Sequence, residues 1–182
     1  MTAISLLRCG LAGLAMLLSS AAHAADLPAT IETVVIGSFS ADDRARIAQA
    51  LDEWNRALNG VARFAPAADT NSRRVWAITA IAQSPVQNRR ETLAEVKGLP
   101  TGGGLLLVYL DRLRGKNLDG IMLHELGHVL GLQHEGNRGL MAAEYNPHDQ
   151  KCVDYSAMAQ LAALYGLPLQ KLRWCGEATP AR

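Results

Sequence analysis

Short apolar runs rich in β-branched residues alternate along the chain with longer stretches in which apolar positions recur every three or four residues, and each period predicts an element. Residues 31–39 are of the first kind and predict a strand. Ser40 then offers an N-cap, Asp42 and Asp43 suit the positive end of a helix dipole, and Ile47, Leu51, Trp54 and Leu58 make one helical stripe. The stripe reads as core, and Asn59-Gly60 as its stop. Residues 61–64 and 74–82 predict two more strands, separated by Pro66 and the polar turn 69–72. Residues 92–97 alternate polar with apolar and predict a short edge strand, whereas 105–110 is a continuous apolar run suited to a buried one. Gly102, Gly103 and Gly104 lie between them without the spacing of a phosphate loop. Asn117 and Asp119 signal a second helix; Met158, Leu161, Leu164 and Tyr165 place a last one within 152–167, stopped by Gly166.

Composition narrows the class. The 182 residues are 49% hydrophobic and 19% charged, with 18 Lys+Arg against 17 Asp+Glu, the balance of an ordinary globular domain. A nucleic-acid footprint or a polybasic membrane surface needs a basic excess that is absent, so neither partner is expected. Residues 1–24 carry Arg8, an apolar run at 11–18 and the small-x-small end Ala22-His23-Ala24, the pattern of a secretory signal of bacterial style. The run is short for a bilayer span, which is the other reading of the segment. Cleavage after Ala24 leaves 25–182 as one domain with 17 residues of each charge, exported to the periplasm or beyond, without a stable membrane anchor and monomeric. Two cysteines remain, Cys152 and Cys175; in an oxidising compartment they read most simply as a disulfide clamping the tail, with two free thiols as the alternative.

The chemistry lies in His124-Glu-Leu-Gly-His128-Val-Leu-Gly-Leu-Gln-His134. Residues four apart share a helix face, so His124 and His128 can present two imidazoles to one metal ion. Glu125 stands beside the first ligand, where it reaches a metal-bound water without being a ligand, as a general base must. Gly131 can adopt φ > 0, end the helix and turn the chain so that His134 completes the set. Three neutral imidazoles with an open fourth position is the catalytic arrangement of zinc, and one Zn²⁺ is expected. From the chain's own composition, these five fixed positions arise by chance in roughly one sequence in 10⁵, which disposes of coincidence.

The stretch matches His-Glu-x-x-His-x-x-Gly-x-x-His and resembles the metzincin metallopeptidases, most of all their matrixin-like branch. The resemblance implies an α+β zincin fold: a twisted, mostly parallel sheet of about five strands with an antiparallel edge strand, an active-site helix and a C-terminal helix. Met141, which by itself is only a flexible apolar residue, stands where the family places its methionine turn beneath the zinc. Tyr145 and Pro147 stand where matrixins wall the pocket for the substrate side chain just past the scissile bond. The alternative, Tyr145 approaching the zinc, departs from metzincins that place that Tyr two residues after the Met, because here the spacing is four. No cysteine-switch motif precedes the domain, and the segment 75–105 is poor in Asp, so neither thiolate latency nor calcium is inferred.

The expected activity is therefore that of a secreted zinc endopeptidase, with the peptide laid along the edge strand 92–97. An ordinary solvent-facing strand is the plainer reading of that segment. A zinc-containing binding module on the same fold is a different class, against which the retained Glu125 speaks. A zinc hydrolase of a non-peptide amide would use the same residues.

Overall fold

A strand lasts only as long as a neighbour pairs with it, and pairing trims the apolar runs into five strands of one sheet. They are β1 (Thr30–Ile36), β2 (Arg63–Pro66), β3 (Trp76–Ile81), β4 (Ala94–Gly98) and β5 (Gly104–Tyr109), in the order β2-β1-β3-β5-β4. The computed structural model describes residues 26–83, 92–100, 102–148 and 150–176; the expected leader 1–24 lies outside them. All pairs are parallel except β4 on β5, so the predicted edge strand is the antiparallel one. Register aligns Ile31 with Phe64, Val35 with Ile78, Ile78 with Leu106 and Val108 with Ala94, which lines up one apolar face across the sheet.

The described residues also form three α-helices: α1 (Ala41–Leu58), α2 (Leu118–Val129) and α3 (Tyr155–Tyr165). Ser40 and Asp43 cap α1 reciprocally, each side chain accepting the other's backbone N–H at 3.1 Å. The stripe of α1 is core as expected: Ile47, Trp54 and Leu58 are fully buried, and the Trp54 indole donates to the Leu123 carbonyl of α2 at 2.9 Å. Nine of the twelve residues of α2 are buried, so it runs through the core rather than over it. α3 is shorter than the predicted 152–167 because Asp154 caps it, its side chain accepting the Ala157 N–H at 2.9 Å. No described helix is long and apolar enough to cross a membrane.

Cys152 and Cys175 form the expected disulfide, with Cα atoms 6.1 Å apart. The tail it carries is also held by backbone: Cys175 N–H donates to Val153 O at 2.9 Å and Arg173 N–H to Ala57 O at 2.8 Å. The bond thus ties the end of the domain to the segment just before α3. Replacing both cysteines by serine is expected to lower the unfolding free energy by about 2–4 kcal/mol through the freed unfolded chain; a urea titration with an unchanged midpoint contradicts that clamp.

Candidate metal centre

The site is built at the C-terminal half of α2, whose start is fixed by Asn117 accepting the Asp119 N–H at 3.1 Å. One turn separates His124 from His128, and the helix then ends as the sequence predicts. Gly131 sits at φ +88°; its N–H donates to His128 O at 2.9 Å, and Leu132 N–H to Gly127 O at 3.0 Å, the two bonds of a Schellman turn. That turn does two things at once. It sends the chain back so that His134 reaches the other two imidazoles, and it lays the Leu132 carbonyl 2.8 Å from His128 Nδ1. The Leu140 carbonyl, next to Met141, lies 2.7 Å from His124 Nδ1 in the same way.

A carbonyl can only accept, so Nδ1 carries the proton in both rings and Nε2 is left with a bare lone pair. The three Nε2 atoms converge, 3.1 Å apart for His124–His128 and His128–His134 and 3.2 Å for His124–His134. Lone pairs aimed at one point repel unless a cation lies among them. A tetrahedral zinc with bonds of about 2.0–2.1 Å sets its nitrogens about 3.3 Å apart, so the cluster fits such an ion. Among the described residues this is the one group of three or more His, Cys, Asp or Glu so placed. Burial lowers the His124 pKa to about 4, with smaller contributions from the neighbouring His128 and His134, and lowers that of His128 as well. Both rings are therefore neutral at physiological pH, the form a metal requires.

Glu125 is buried at 7% exposure and lines a cavity of about 300 Å³ together with His124, His134, Leu93, Ala94, Tyr145 and Gln150. Burial pushes its carboxyl up to about 7, and the charge of Glu95 on β4 adds to the shift. Tyr145 lines the cavity, but its hydroxyl accepts the Asn117 N–H at 2.6 Å and is committed to the start of α2 rather than to the triad. Pro147, expected beside it, is exposed and is not among the residues that line the cavity.

Met141 is buried against α2, and here the sequence reading missed a partner. A Cβ on Gly127 would stand 2.5 Å from Met141 Sδ and 3.4 Å from the Trp54 ring. The signal was present: a glycine in a helix interior costs about 1 kcal/mol relative to alanine, and close approach is a reason to keep it. Asp154 was also missed. Besides capping α3 it accepts the Leu140 N–H at 2.7 Å, and so fixes the peptide neighbouring the His124 acceptor. Gln150 packs its amide 3.4 Å from His124 Nδ1 at 2% exposure, in a segment without regular structure that no periodicity marks.

Residues 65–166, more than half of the chain, match the family model of the matrixins. Among solved structures, the chain is similar to high choriolytic enzyme 1, a hatching enzyme zinc-protease from the medaka fish Oryzias latipes. The TM-score is 0.52 and the identity 18%, over 78% of this chain and 91% of that one. No curated protein sequence matches the chain.

In the metal-free protein the raised carboxyl has a definite sign. Folded Glu125 binds its proton more tightly, at about 7, than the ordinary value of 4.5, so stability falls as pH rises through that window. Glu125→Gln removes the penalty. It is expected to make the metal-free protein more stable than wild type at pH 8 by up to about 3 kcal/mol, with the gain vanishing below pH 4.5. Equal urea midpoints at pH 8 would count against the buried carboxylate.

Proposed function

The chain belongs to the matrixin family, and from that premise we propose that it is an exported zinc endopeptidase in which Glu125 is the general base. The observation that carries the reading is the convergence of three Nε2 atoms beside a buried carboxylate, in a cavity lined in part by the start of β4.

His124, His128 and His134 would hold the metal. Zinc supplies Lewis acidity there, polarising a carbonyl and making a water acidic near neutral pH. Leu140 O and Leu132 O hold two of the rings in the tautomer that leaves Nε2 free. Glu125 takes the proton of the attacking water on its carboxylate and returns it to the leaving amine. Its burial suits that role, because desolvation raises the affinity of the carboxylate for a proton.

The substrate is a peptide or protein, in keeping with the family. Among the described residues β4 pairs only with β5, so its outer edge is open to an extended peptide that adds as a strand. Leu93 and Ala94 connect that edge to the cavity, and Tyr145 walls the space for the side chain just past the scissile bond. The leader 1–24 directs the domain 25–182 out of the cytoplasm, where the Cys152–Cys175 bond persists. The reading assigns one zinc and a monomer.

The test pairs the purified mature chain with Glu125→Gln. Both are expected to carry one zinc per chain, while cleavage of a mixed peptide library falls in the variant by at least about 10²–10⁴ in kcat/KM. Undiminished cleavage by zinc-loaded Glu125→Gln would remove Glu125 from the mechanism. Zinc in both with cleavage in neither would mark a binding module.

A further inference from the structure

The three imidazoles are not held alike. His124 and His128 each have a backbone carbonyl against Nδ1, whereas His134 is exposed and, among the described residues, its ring has no hydrogen-bond partner other than the two histidines. Among the described residues no hydrogen bond to Nδ1 aims it. Its direction must come from the backbone on either side, and that backbone lies in a loop.

The loop is gripped by α3. Gln160, in the middle of that helix, accepts the Gln133 N–H on Oε1 at 2.6 Å and donates from Nε2 to the Gln133 carbonyl at 3.1 Å. Only one orientation of the amide satisfies both bonds, so O and N are fixed by the partners themselves. The same Nε2 lies 3.3 Å from the Glu135 carboxylate, which also accepts from Ser156 Oγ at 2.9 Å, and Glu135 N–H donates to Met141 O at 2.9 Å. The residues before and after His134 are thus both fastened, one by a side chain that pairs with its peptide groups as a neighbouring strand would. The N-terminal end of α3, the helix from which Gln160 reaches, is anchored by Asp154 to Leu140, beside the His124 acceptor.

We propose that Gln160 is the positioning residue of the third metal ligand, acting on His134 through the Gln133 peptide in place of a hydrogen bond to the ring. The inference rests on His134 being a zinc ligand. In Gln160→Met the side chain keeps its length and loses both bonds. His134 then samples other directions, and the metal is lost more readily.

The experiment measures chelator-driven zinc release and the visible spectrum of the cobalt(II)-loaded protein for wild type, Gln160→Met and His134→Ala, with the melting temperature of each metal-free form. Gln160→Met is expected to melt with wild type when metal-free and to release zinc about tenfold faster. Its cobalt spectrum is expected to move toward that of His134→Ala. Unchanged release and spectrum overturn the proposal, and so does a variant that melts earlier yet keeps the wild-type spectrum, for then Gln160 is scaffold alone. Wild type that binds no zinc, or His134→Ala that binds like wild type, overturns the zinc reading itself and the clamp with it.

Discussion

Three nitrogen lone pairs directed at one point repel one another, and most of the arrangement around α2 makes sense as the means of holding them there. Each ring must be neutral, protonated on the outer nitrogen and fixed in rotation. Burial secures the first condition for His124 and His128. The carbonyls of Leu140 and Leu132 secure the other two. Both acceptors are main-chain groups, so their placement is a property of how the chain folds rather than of any side chain. The Schellman turn at Gly131 supplies one of them and, in the same two bonds, delivers His134.

The C-terminal third of the domain can be understood as a bracket around that centre. Leu140 presents its carbonyl to His124 and its N–H to Asp154; Asp154 starts α3; α3 reaches back through Gln160 to the loop of His134. The disulfide fastens the segment preceding Asp154 to the tail, and the tail is bonded to the end of α1. The ligand set is therefore coupled to the fold largely by bonds between side chains and the main chain. On the other side of the cavity the sheet offers β4, antiparallel and unpaired on its outer edge among the described residues, at the rim where Glu125 is buried. Two ligands on a core helix, a third on the turn that follows and a sheet edge beside them would suit an extended peptide.

Much of this was legible in the sequence, and the reasons differ by element. The strands and α1 were visible because one face of each is apolar with a regular period. Their ends were displaced by one to three residues because the partner strand, not the local sequence, decides where pairing stops. The triad and Glu125 were visible because helical spacing and a positive-φ glycine convert sequence separation into proximity. Carbonyl acceptors carry no residue identity, so Leu132 and Leu140 could not be read as partners of the rings. Gln150, Asp154 and Gln160 act across long separations, and a lone polar residue on a helix or in a loop looks the same whether it faces water or a ligand's neighbour. Pro147 was inferred by resemblance alone, with no period or cap of its own to mark a role, and it lies exposed.

If three imidazoles hold one zinc and leave a fourth position for water, X-ray absorption at the zinc edge of the purified protein without residues 1–24 will show a first shell of three imidazole nitrogens and one water oxygen at about 2.0–2.1 Å with no sulfur. Sulfur at about 2.3 Å, or two imidazoles with a shell otherwise of oxygen, would contradict it.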